Sequence, residues 1–337
     1  MPQDDPKGSY TYPAVEDDAD RTGVLRNRFG LTRHSELRPA EYAMTHIRVA
    51  EIAEGRGPDG DFDKAHLKAL HRHIFQDVYE WAGAMRNEAP IVDGMRVEPV
   101  GTMSKGGTSF VPAQYIERGL NEAFRPLQDR AALQGSSPAA FADIAGRVMG
   151  ELNYVHPFRE GNGRSQQAFI AELGRAYGHE VDFSVISRVR MMQASIATTN
   201  DPDSPALRHV IADAVEPGRR AAQRAAFSDV QARGGDPQEF HIATARQGEE
   251  ITGSVLAHDD HFATIVTQRR IVAVDRADLP EQLPDPEREI TIVARSDFSR
   301  APAERAAAPE RPAAPAATDP RQNPPQGRER DDDGAER

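Results

Sequence analysis

The sequence predicts a mainly α-helical chain that passes into a small β-rich unit and then a disordered tail. Three observations predict it. Apolar residues recur at helical spacing through most of 10–216, interrupted by short glycine and proline punctuation. After about Phe240 the segments become short, rich in β-branched residues and partly alternating. From Ala301 to Arg337 there is no Leu, Ile, Val, Met or aromatic residue, so nothing there offsets the entropy of ordering. Residues 1–9 read as equally loose, 217–239 as a helical linker, and 240–300 as the β unit.

The elements follow in order. Residues 41–54 carry Met44, Ile47, Ala50 and Ile52 on one side and stop at GRGPDG, a helix followed by a breaker. Residues 63–81 place Leu67, Leu70, Ile74 and Val78 at helical spacing, with Trp81 as core at the helix end. Ser137 and Pro138 form a favoured N-cap and first-turn pair; Phe141, Ile144, Val148 and Leu152 then make an apolar stripe leading into His156. A further helix is expected over 164–177, with Phe169, Ile170 and Leu173 inward and Gly178 as its stop. GSVLAHDDHFATIVTQ, RIVAVDR and EITIVAR then read as a small antiparallel sheet or barrel. HRH at 71–73 and HDDH at 258–261 read as solvated faces rather than metal sites, because adjacent helical positions face apart.

Composition narrows the function classes. A net charge of -12 argues against a sequence-independent grip on nucleic acid, which needs clustered Lys and Arg. The absence of cysteine excludes disulfides, thiol catalysis and zinc-thiolate sites. The acidic start MPQDDPKGSY lacks the basic and apolar regions of a signal peptide, and no stretch approaches the roughly 20 apolar residues of a membrane helix. Neither nucleic acid nor membrane is expected as a partner, and a cytoplasmic location is expected.

Residues 156–164, HPFREGNGR, lie between two of the expected helices. A glycine-rich turn feeding a helix N-terminus presents unpaired backbone N–H groups backed by the positive end of the helix dipole, which favours anions. Gly161 and Gly163 allow close approach of phosphate oxygens, and Arg164 adds a guanidinium suited to gripping one. Glu160 supplies a carboxylate for Mg²⁺, and His156 has the titration range to take a proton from an attacking hydroxyl. Alone, each piece also reads as an ordinary connector or packed histidine; nine residues holding all of them point to group transfer from a nucleotide. No Walker P-loop is present.

HPFREGNGR closely resembles the signature of Fic-domain enzymes, HxFx followed by Asp or Glu and GNGR. The resemblance extends over most of 10–216, through YTYP, LHRHIFQDVYEWAG, SKGGTSFVPAQYI and the segment 187–196. It is strongest to Bartonella-type effectors and conjugation-related toxins, in which a Fic domain precedes a small OB-like fold. The fold implied is therefore the helical Fic fold with a β-hairpin flap, an OB-like unit and a tail. The activity implied is transfer of AMP from ATP to a Tyr, Thr or Ser hydroxyl of a target protein. His156 would be the base, Glu160 the Mg²⁺ ligand, and Phe158, Gly161, Asn162, Gly163, Arg164 and Gln167 the nucleotide site. Lys105, Gly106, Gly107, Thr108, Ser109 and Phe110 would form the flap that aligns the target by strand pairing; without the resemblance they read equally as a glycine-containing turn.

Doc-type relatives phosphorylate instead and carry lysine where this chain has Gly163, which favours adenylyl transfer here. Gln167 departs from the usual GNGRxxR, losing a charged phosphate contact, so a weakened scaffold that binds nucleotide or a partner protein, or transfers another phosphate-containing group, is the alternative. The family's inhibitory helix has its nearest match at 50–55, which lacks the Ser or Thr. A separate small antitoxin is thus the expected regulator, with self-inhibition second, and type IV secretion into host or recipient cells is the expected route of any export.

Overall fold

The computed structural model describes residues 8–283 and 288–299. Of the loose segments expected at 1–9 and 301–337, residues 1–7 and 301–337 lie outside them. The helical part comprises α1 (His34–Ala53), α2 (Lys64–Phe75), α3 (Ile116–Phe124), α4 (Arg130–Leu133), α5 (Pro138–Val155), α6 (Asn162–Ala176), α7 (Arg188–Asn200), α8 (Ala206–Val215) and α9 (Pro217–Ala232). Between α2 and α3 stand two minimal hairpins, β1 (Ile91–Val92) with β2 (Met95–Arg96), and β3 (Ser104–Lys105) with β4 (Thr108–Ser109). The remaining strands, β5 (Ile242–Thr244), β6 (Glu250–His258), β7 (Phe262–Val266), β8 (Ile271–Asp275) and β9 (Glu289–Val293), form one sheet in the order β5-β8-β7-β6-β9.

Local chemistry accounts for the principal helices. Asp63 caps α2 by accepting from His66 N–H, and Ser137 caps α5 by accepting from Ala140 N–H with Pro138 in the first turn. The apolar stripe of α5 is buried, with Phe141, Val148 and Leu152 at 0% exposure, and α5 lies at the centre of one core with α3, α6, α7 and α8 around it and α2 packed on α6. A second core joins α9 to the sheet through Ala222, Ala226, Ile265, Val272 and Val274. Full burial of each large aliphatic chain stabilises the fold by about 1.5–3 kcal/mol.

Three sequence expectations are corrected in detail. The first helix begins at His34, seven residues before the expected start, because Pro39 falls inside α1 without ending it. α2 ends at Phe75, six residues before Trp81, where Val78 and Tyr79 N–H turn back onto Phe75 C=O and pack Trp81 inward at 1% exposure. The sheet is mixed rather than antiparallel, since β5 pairs parallel with β8. Among the described residues no helix is long and apolar enough to cross a membrane.

Candidate active site

α5 delivers His156 at its C-terminus. The His156 N–H still closes the helix on Leu152 C=O at 3.0 Å, while its own φ of 48° and ψ of 60° turn the chain into the left-handed region. For a residue with a Cβ this costs on the order of 1–3 kcal/mol, a strain that the surrounding structure must hold. Arg86 does much of the holding. Fully buried, it donates from Nε to His156 C=O at 2.8 Å and from its Nη groups to the carbonyls of Val100, Val111 and Val155. One side chain thereby ties the end of α5 to both roots of the β3–β4 hairpin.

That hairpin covers the histidine. Gly106 and Gly107 take φ of 56° and 84°, the paired positive values a two-residue turn between twisted strands requires. Lys105, Gly106, Gly107 and Ser109 are exposed, whereas Thr108 is buried. Just past β4, Phe110 stacks on His156 with ring centroids 3.7 Å apart and planes at 14°. Burial is the main reason the imidazole falls from its ordinary 6.5 to about 4. The Asn153 backbone and the Glu160 charge oppose that shift, although His156 Nδ1 completes no hydrogen bond. The ring is consequently neutral near pH 7, the form that accepts a proton.

The turn after His156 is closed by Asn162. Its Oδ1 accepts from Phe158 N–H at 2.9 Å and its Nδ2 donates to Phe158 C=O at 2.8 Å. The Asn162 side chain is therefore spent on the loop, and only its backbone N–H is left without a partner among the described residues. Gly161 must be glycine twice over: its φ is 84°, and a Cβ would stand 2.3 Å from the Phe75 ring. Ser165 N–H is the first in α6 to find an internal partner, the Gly161 C=O at 3.1 Å. The N–H groups of Asn162, Gly163 and Arg164 have none among the described residues. A Cβ on Gly163 would meet nothing within 4 Å, so the helix N-terminus is open at that point.

Glu160 accepts from Gly161 N–H through Oε1, and its Oε2 has no partner among the described residues. A half-exposed carboxylate at the mouth of a phosphate-type cradle fits Mg²⁺, which takes one or two protein carboxylates and fills its shell with phosphate and water. Beneath it lies a correction. His71 was expected on a solvated face, yet it is fully buried, its ring 3.8 Å from that of Phe158 and 4.8 Å from that of Phe75. It donates from Nε2 to Glu160 C=O at 3.0 Å and accepts Gly83 N–H on Nδ1 at 2.8 Å, so the neutral tautomer is set by its neighbours. Burial pushes this imidazole down to about 3. The signal was present, since His71 falls four residues after Leu67 and three before Ile74, on the apolar stripe itself.

Arg164 reaches toward α1. It donates to Thr45 Oγ1 at 2.9 Å, pairs with the Glu41 carboxylate that also accepts from Tyr79, and lies over the Phe75 ring at 4.6 Å. Gln167, one turn on, lines with Arg164 a cavity of about 670 Å³ between α1, α6 and the loop before Phe183. Thus His156, Phe158, Glu160, Gly161, Asn162, Gly163 and Phe110 gather at one place, whereas Gln167 and the guanidinium of Arg164 turn to the α1 side. Glu41, Thr45, Tyr79 and Arg86 carried no sequence signal of their own, because each acts across long separations.

Two packed helices, α5 and α6, joined by a glycine-containing turn, with a neutral histidine beneath a hairpin, define the class of fold. Residues 61–173 match the Fic/DOC family, and the chain belongs to that family. It is 40% identical over 197 residues to a probable protein adenylyltransferase of Sinorhizobium fredii, covering 58% of this chain and 94% of that one. A protein adenylyltransferase of Bartonella henselae is 29% identical over 253 residues, 73% of this chain and 44% of the longer relative. Among solved structures, the type IV secretion system effector protein BepA superposes with a TM-score of 0.74 at 26% identity, over 85% of this chain and 96% of that one. BepC of Bartonella tribocorum with bound AMPPNP gives 0.56 at 27% identity, over 61% and 95%.

Proposed function

We propose that this protein is an adenylyltransferase that moves AMP from ATP onto a Tyr, Thr or Ser hydroxyl of another protein. The observation that carries it is a neutral, half-buried His156 on the same loop as three N–H groups at the open end of α6 that have no partner among the described residues. In this reaction His156 takes the hydroxyl proton, the oxygen bonds to the α-phosphorus, and the bond to pyrophosphate breaks. The N–H groups of Asn162, Gly163 and Arg164 stabilise the charge that gathers on phosphate oxygens. Glu160 would hold Mg²⁺, which neutralises the triphosphate when bound. The exposed edge of the β3–β4 hairpin would align the target backbone by strand pairing, which demands no particular side chain.

The similarity to proteins named adenylyltransferases, and to a structure holding AMPPNP, supports the donor. Incubating the protein with bacterial and eukaryotic lysates and ATP labelled at the α or γ position tests it. Label from the α position alone, absent in His156→Ala, is expected; γ-label on protein would instead establish phosphoryl transfer. Gln167 motivates a second reading, a scaffold that binds nucleotide or a partner protein with little turnover or moves another phosphate-containing group; binding with no labelled protein would favour it. A small antitoxin with an inhibitory helix is the proposed regulator, and the cavity lined by Arg164 and Gln167 is where such a helix would dock. Likeness to a type IV secretion effector supports export by that route.

A further inference from the structure

Away from this loop, the helices and the sheet meet around a buried carboxylate. Asp213 of α8 is fully buried, with Arg190 at 2.7 Å, Arg246 at 2.8 Å and Arg219 at 3.6 Å, and Thr244 donates to it from both N–H and hydroxyl. One carboxylate here faces three guanidinium groups. Beside it a cavity of about 630 Å³ opens between α7, α8 and the start of the sheet, lined by Arg190, His209, His241, Arg246, Glu249 and Arg270. Arg270 pairs with Glu249, so the three arginines lining the cavity, Arg190, Arg246 and Arg270, stand against two carboxylates, Asp213 and Glu249, in a chain whose net charge is -12.

The arginines differ in what they have left to give. Arg190 is 4% exposed and its Nη groups are committed to Asp213 and to the carbonyls of Ile242 and His209. Arg246 and Arg270 use only Nη2; their Nε and Nη1 groups have no hydrogen-bond partner among the described residues. The excess charge is felt by the neighbours. Burial first, then Arg246, brings His209 down to about 4, and burial followed by Arg190 and Arg270 does the same to His241. Both rings are therefore neutral, and Asp213, which pulls the other way on each, offsets the arginine charge only in part.

We propose that this cavity binds a small phosphate-bearing anion, gripped by Arg246 and Arg270 with Arg190 behind them. The arginines outnumber the carboxylates, and the unused Nε and Nη1 donors of Arg246 and Arg270 suit the oxygens of a phosphate group. The site is separate from the HPFREGNGR loop, so it stands or falls independently of the transferase reading.

Proton NMR of the histidine rings in the full chain tests it, because His209 and His241 report this cavity and His156 the other site. Sodium phosphate, sodium pyrophosphate and AMP are titrated at constant ionic strength set by chloride. Saturable shifts of the His209 and His241 resonances are expected, weakened at least about tenfold in Arg270→Gln, as loss of a charge-assisted contact implies. Arg269→Gln, which removes an exposed charge one residue away, is expected to change nothing. Arg270→Lys, which keeps the charge beside Glu249, is expected to fall between and guards against a folding defect. Saturation at lower AMP than pyrophosphate concentration assigns a nucleoside ligand; the reverse assigns an inorganic one. Rings that ignore all three anions, shifts that follow chloride equally, or equal weakening by both Gln variants would overturn the proposal.

Discussion

At the residue scale, His156 and Gly163 make opposite demands on the fold. Because burial holds the His156 imidazole near 4, the ring is protonated only in strong acid. The acid limb of kcat/KM should therefore lie near pH 4–5 and the profile should be flat from this group through pH 6–8. A limb near the ordinary 6.5 would show that the ring is solvated in the working enzyme. Phe110, stacked over that ring, contributes to the burial. Gly163 carries no positive φ and has open space around it, so Gly163→Ala should leave the melting temperature unchanged or raise stability by up to about 1 kcal/mol, as expected in a helix. The same change should weaken ATP binding by calorimetry, since the methyl would enter the open space where the proposed site receives phosphate oxygens. Gly161→Ala should do the reverse of the first, destabilising the fold through its φ of 84° and the Phe75 ring.

At the element scale, the loop is rigid because α2 and the hairpin roots grip it. His71→Phe keeps the stack on Phe158 but orphans the buried Gly83 N–H and frees Glu160 C=O, a loss of about 1–3 kcal/mol in denaturant unfolding with a fall in kcat. This is also where the sequence was least readable. HPFREGNGR was legible because its parts are contiguous and their spacing is itself the geometry, and the two flanking helices followed from a Ser-Pro cap and a regular stripe. Arg86 and Glu41 were not, since their partners lie 70 and 123 residues away and neither sits in a motif. His71 was misread by its polar neighbours rather than by its register. The parallel pairing of β5 was hidden because a three-residue strand has no period to read.

At the scale of the whole molecule, one buried acid fastens the sheet to the helices. Asp213 is kept ionised by Arg190, Arg246 and Arg219 against the pull of burial. Asp213→Asn leaves three buried or half-buried guanidinium groups uncompensated and should cost about 3–5 kcal/mol by denaturant unfolding. Acid acts on the same junction. His209 and His241 sit near 4 in the folded chain and near 6.5 when unfolded, so the unfolded chain binds more protons between those values. Their contribution is complete above pH 6.5 and is lost as the pH falls toward 4, which a series of thermal melts from pH 7 to pH 4 would record as a falling midpoint.

The most direct measurement of the central claim is the intact mass of a modified target after incubation with ATP and Mg²⁺, paired with calorimetric ATP binding to the same enzyme. Wild type should add one adenylyl group per modified hydroxyl, while His156→Ala should bind ATP about as well and add none. A mass gain of a single phosphate, or adenylyl transfer that survives His156→Ala, would contradict the assignment of imidazole and helix terminus to one triphosphate.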